Sequence, residues 1–165
     1  MDILGNFDNV EEAKDCLIRE LKRGLYKRGN FVIADREDAY HVIFDNEVFI
    51  CEVRLGAYVV TNITPLPMMK VSGEVKERLE RAEKRRKRAE HLANSLVEKI
   101  RSSRITTINE VIEELKRIAS DHAYGKSKLS ICYHGDSWIM TSSTIIAISD
   151  SIEDSRILYC SGNPM

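Results

Sequence analysis

At 165 residues, 43% of them apolar and 31% charged, the chain is long enough to bury one substantial core and too short for two generous ones, so a single domain is expected. A formal charge of -1, from 25 basic and 26 acidic residues, excludes a global pull toward nucleic acid or an anionic membrane and leaves only local patches to consider. No stretch reaches the roughly 18 apolar residues of a membrane span, and the polar start, Met1-Asp2 and then Gly5-Asn6-Phe7-Asp8-Asn9, lacks a signal peptide's basic and apolar regions; the sequence therefore predicts a cytoplasmic protein with no membrane partner.

Asp8 and Asn9 offer helix caps with Glu11 and Glu12 behind them, and Val10, Ala13, Leu17 and Leu21 recur at helical spacing, which predicts a helix over 9–25. From Gly29 the period becomes two. Short β-branched or aromatic runs at 31–34, 40–44, 48–53 and 57–60 are separated by Asp35-Arg36-Glu37-Asp38, Asp45-Asn46-Glu47 and Leu55-Gly56, which reads as an antiparallel meander with a hairpin at Asp45-Asn46. Thr64-Pro65-Leu66-Pro67 stops the sheet. A long helix over 72–103 then carries Val75, Leu79, Ala82, Ala89, Ala93, Leu96 and Ile100 along one stripe. Thr107-Ile108-Asn109-Glu110 is a capping box that opens a further helix over 107–121. Strands return at 129–133, 138–149 and 156–160, the second so β-branched that it predicts a central strand. Strand runs and helix runs segregated in this way imply an α+β layered fold, with both strand groups in one domain and the two later helices covering one face.

The basic run Lys84-Arg85-Arg86-Lys87-Arg88 could hold phosphate or nucleic acid. Its neighbours Glu74, Glu77, Glu80, Glu83 and Glu90 lie three or four residues from basic partners, however, and no aromatic residue interleaves as a stacking platform. A salt-bridged, solvated helix without a nucleic-acid partner is the expected reading. Cys16, Cys51, Cys132 and Cys160 show no C-x-x-C pairing, so buried structural thiols are expected rather than disulfides or a zinc site. His122, Cys132 and His134 are of metal-ligating types, but a complete ligand set is not apparent, and no metal is expected. The common phosphate, dinucleotide and hydrolase signatures are absent, so no cofactor is expected either. The lack of any glutamine, with the high charge, fits a heat-adapted source.

Several stretches in order resemble the isopenicillin-N acyltransferase family of N-terminal-nucleophile hydrolases, relatives of the choloylglycine hydrolases. They are Gly29-Asn30-Phe31-Val32-Ile33-Ala34-Asp35, Gly56-Ala57-Tyr58-Val59-Val60-Thr61-Asn62, the charged helix, and Ser120-Asp121-His122. Ser130-Ile131-Cys132-Tyr133-His134, Thr141-Ser142-Ser143-Thr144 and the closing Leu158-Tyr159 with Gly162-Asn163-Pro164 complete the set. The resemblance runs over most of the chain and corresponds to the C-terminal part of such enzymes.

It implies an αββα sandwich, incomplete at its N-terminus, in which a cysteine at a processed chain start attacks a linear acyl amide with its own α-amino group as base. It also implies that Asn62 helps form the oxyanion hole, with His134 and Ser143 as further site residues. The family nucleophile lies upstream of everything matched here, so an upstream segment or partner chain is expected to supply it, and Tyr133 stands where the family tends to carry a basic residue. Unpaired sheet edges left by the missing strands predict a homo-oligomer or a complex with an upstream-encoded chain. The alternative is a catalytically inactive remnant that serves as a binding or structural module.

Overall fold

The computed structural model describes residues 7–24, 29–45, 47–54, 56–60, 74–132, 142–148 and 151–161. The architecture is mixed α+β, and the chain divides into two compact units, Met1–Thr64 and Pro65–Met165.

The first unit is one helix on a three-stranded sheet. Helix α1, Val10–Lys22, begins because Asn9 accepts the Glu12 amide at 2.9 Å, while the Asp35 carboxylate, reaching over from the next turn, accepts the Val10 amide at 2.9 Å. The other Asp35 oxygen accepts the Glu37 and Asp38 amides, so one side chain ties the strand turn to the helix start. Those three backbone donors hold the Asp35 carboxyl below its usual range. Strands β1, Gly29–Ala34, β2, Ala39–Asp45, and β3, Glu47–Glu52, follow as an antiparallel meander in the order β1-β2-β3. Phe31 lies opposite Val42, and Val42 opposite Ile50; Asp45 faces Glu47 with only Asn46 between them, as expected of the hairpin.

Leu17, Leu21 and Val42 are fully buried at the helix–sheet seam, with Phe31, Ile33, Phe44 and Val48 packed around them. Strand periodicity puts those sheet residues on one face and leaves Asn30, Val32, His41, Ile43, Phe49 and Cys51 on the other. Val32 is 55% exposed and Phe49 43%. Since Leu21 has no residual exposure, Leu21→Ala is expected to cost about 3 kcal/mol of this unit's stability, as read from the urea midpoint by circular dichroism. A loss under about 1 kcal/mol would mean the seam is not this unit's core.

The strand expected at 57–60 is not one: among the described residues, 56–60 join no ladder. The last ladder-like bond runs from the Val53 amide to the Ala39 carbonyl at 2.8 Å. Gly56 then takes φ +138°, a conformation that side-chain-bearing residues rarely adopt, and the chain leaves the strand direction there.

The second unit opens with α2, Glu74–Arg101, 28 residues and about 40 Å long. After a short turn, α3, Ile108–Ala119, starts at the expected capping box: Glu110 donates its amide to the Thr107 hydroxyl, and the Glu110 carboxylate accepts the Thr107 amide at 3.0 Å. Ala82, Leu96, Ile105 and Ile112 are buried, and the Lys99–Glu114 ion pair at 2.9 Å bridges the two helices. Strands β4, Ser142–Ala147, and β5, Arg156–Ser161, pair antiparallel with Ile146 opposite Ile157, and a single 3-10 turn, Ile152–Asp154, precedes β5. Helix α3 lies against β4. Ile145, Ala147 and Leu158 are half-buried on one face, whereas Ile146, Ile157 and Tyr159 on the other are 61%, 75% and 68% exposed.

Two expectations change here. The β-branched run predicted as a central strand is β4, which among the described residues pairs with β5 alone; its composition reflects two apolar faces rather than two neighbours. Residues 129–132, predicted as a strand, form turns, because Ser127 and Ser130 bond to nearby backbone and capture groups a ladder would need. Tyr133 and residues 138–141 and 149 lie outside the described residues.

Candidate functional site

Of the residues assigned by resemblance, Asn62 and His134 lie outside the described residues, and Ser143 sits in β4 opposite Cys160. Of the three, Ser143 alone is among the described residues. The cysteines are not four buried thiols: Cys132 is fully buried, Cys16 half-buried within α1, and Cys51 and Cys160 exposed on strands. Burial pushes the Cys132 thiol above its ordinary value, which disfavours the thiolate a nucleophile needs.

The basic run is paired as a salt-bridged helix would be, and two of its members do more. Arg86 lies between Glu83 at 2.8 Å and Glu90 at 3.1 Å, an arrangement that holds its guanidinium charged. Arg85 donates to the Lys128 carbonyl, and Arg88 to the Asp121 carboxylate at 2.8 Å. These two bonds staple α2 to the loop that follows α3. Arg88 in turn holds the Asp121 carboxyl below its usual range. The same loop is closed by the Cys132 amide donating to the Asp121 carbonyl at 3.2 Å and by the fully buried Ser130 hydroxyl donating to the Gly125 carbonyl at 2.7 Å. His122 contacts the Ser120 carbonyl through Nδ1 at 2.6 Å. Among the described residues, no three His, Cys, Asp or Glu side chains converge as a metal set.

The most developed polar arrangement lies on the face of the first sheet opposite α1, and sequence reasoning missed it. His41 is 6% exposed in the middle of β2, between Val32 on β1 and Cys51 on β3. Its Nε2 donates to the Asn30 Oδ1 at 2.9 Å, and its Nδ1 accepts the Tyr58 hydroxyl at 2.8 Å. The Tyr58 ring stands edge-on to the imidazole, with centroids 5.7 Å apart. Both ring nitrogens are engaged, which selects one neutral tautomer and withholds the imidazole from acting as a base toward Cys51. The sequence signal was available: a histidine amid the apolar run Tyr40-His41-Val42-Ile43 must find partners if buried.

Burial lowers the His41 pKa below the ordinary 6.5. In the unfolded chain His41 takes up its proton at the ordinary value, whereas the folded chain resists it. His41 therefore contributes stability that is present above about pH 6.5 and is lost as pH falls through that value toward the lower folded one. The denaturation midpoint of the native chain is expected to decline over that interval, and His41→Asn should flatten the decline. An identical pH profile for the variant would remove His41 as its source.

Among the described residues no helix is long and apolar enough to cross a membrane. No protein-family model, curated protein or solved structure matches the chain.

Proposed function

We propose that the chain is the C-terminal portion of an N-terminal-nucleophile amide hydrolase or acyltransferase acting on a linear acyl amide, and that its fold is the αββα sandwich of such enzymes. The observation that carries the reading is the same in both units: one helix layer covers one face of an antiparallel sheet, while the opposite face keeps exposed apolar side chains. Those are Val32 and Phe49 on the first sheet and Ile146, Ile157 and Tyr159 on the second. A chain with two such faces is built to bury them, as layered α+β folds do.

In this reading, carried by the resemblance, Asn62 donates its side-chain N–H to the oxyanion, and His134 and Ser143 are further site residues. The nucleophile comes from elsewhere. Cys16 lies within a helix, Cys51 and Cys160 within strands and Cys132 within a turn, so none of them carries the free α-amino group that serves as base in this chemistry. In this reading an upstream segment or a partner chain supplies the cysteine, and a partner chain would make the enzyme a two-chain complex.

Tyr133, standing where the family tends to carry a basic residue, favours a second reading, a catalytically inactive remnant that serves as a binding or structural module. One assay separates the two: hydrolysis of an activated acyl amide by the chain alone and by the chain joined to a cysteine-led segment. The enzymatic reading expects no turnover from the first and turnover from the second. Inactivity of both would leave the module.

A further inference from the structure

Among the described residues, 56–60 join no ladder, so something other than strand pairing holds them. The described contacts provide one anchor. Tyr58 hydrogen-bonds His41 Nδ1 at 2.8 Å through its hydroxyl and packs its ring edge-on against the imidazole, although the side chain as a whole is 44% exposed. His41 is itself fixed twice, by its place in β2 and by its bond to Asn30 on β1. A buried imidazole bonded on both nitrogens is a stiff post, because turning the ring would break two hydrogen bonds at once. Three strands' worth of sheet thus positions a segment that has no pairing of its own, and Tyr58 stands four residues before Asn62 in sequence.

We infer that His41 and Tyr58 are positioning residues: through the Asn30–His41–Tyr58 relay they clamp residues 56–60 to the sheet, a segment that ends two residues before Asn62 in sequence. The catalytic half of this inference rests on the reading of Asn62 as the oxyanion donor, whereas the clamp stands on the geometry alone. A donor misplaced by about 1 Å can cost a hundredfold in rate, so a clamp four residues away bears on catalysis without touching substrate. Tyr58→Phe is the variant of choice, since it deletes one hydroxyl from a half-exposed ring and spares the fold. His41→Asn is the conservative counterpart, because its Oδ1 lies near the Nδ1 position and can still accept the Tyr58 hydroxyl.

The experiment has two arms. In the chain as it exists, 15N relaxation is expected to give backbone order parameters near 0.85 for residues 57–60, falling below about 0.6 in Tyr58→Phe and recovering part of that loss in His41→Asn relative to His41→Leu. Unchanged order parameters in Tyr58→Phe would overturn the clamp. In the chain joined to a cysteine-led segment, Tyr58→Phe is expected to lower kcat about tenfold with little change in KM. If order falls while kcat holds, in an enzyme that Asn62→Ala does impair, the positioning role is wrong. If Asn62→Ala has no effect either, the failure belongs to the oxyanion reading and the clamp survives as a purely structural device.

Discussion

In the chain joined to a cysteine-led segment, Asn62→Ala is expected to lower turnover of an acyl amide by about a hundredfold to a thousandfold, the usual cost of one oxyanion donor. Nucleophile and base decide whether attack occurs at all; the oxyanion donor scales the rate, because its N–H meets charge that exists only as the tetrahedral species forms. For that reason kcat should carry the loss and KM should move little. A side-chain amide suits the task, being a neutral donor that adds no titratable group to the site. An enzyme indifferent to Asn62→Ala would reduce Asn62 to a turn residue before Ile63-Thr64-Pro65.

If the proposed sandwich buries this face, Ile157→Asp is expected to destabilise the protein by about 3 kcal/mol or more, although Ile157 is 75% exposed in the structure of this chain. A substitution at a truly solvated position typically changes stability by no more than about 0.5 kcal/mol, while a carboxylate placed on an inward sandwich face would be stripped of water without a partner. The gap between those two outcomes is what gives the experiment its force. Val32→Asp on the first sheet, where Val32 is 55% exposed, should behave in the same way. Both measurements need only urea denaturation at neutral pH. Near-neutral results at both positions would mean these faces meet water, and the sandwich would be lost with them.

The elements that could be read from sequence are those specified by near neighbours. Asn9 with Glu12 and Thr107 with Glu110 announced the starts of α1 and α3 because a cap acts within three residues of itself. The β1-β2-β3 meander was legible for a similar reason, its turn residues standing between period-two runs. What escaped depends on partners far away in the chain. The Asn30–His41–Tyr58 relay requires the β1–β2 register and a fold-back at Gly56, neither of which is encoded in periodicity.

The basic run read correctly as a salt-bridged helix, but its ties from Arg85 to Lys128 and from Arg88 to Asp121 span 43 and 33 residues and were invisible beforehand. Residues 129–132 failed differently: Leu129, Ile131 and Cys132 look like a strand, and the serines among them decide otherwise by bonding locally. Of the candidate site, Ser143 can be placed on β4, while Asn62 and His134 fall outside the described residues and rest on resemblance alone.

The most direct test of the account is to trap the acyl-enzyme. The chain joined to a cysteine-led segment would be mixed with an activated acyl amide, quenched in acid and mapped by peptide mass spectrometry. The account predicts one acyl group on the cysteine at the processed start, formed only when this chain is present. An adduct on Cys16, Cys51, Cys132 or Cys160, or acylation that proceeds equally well without this chain, would contradict it.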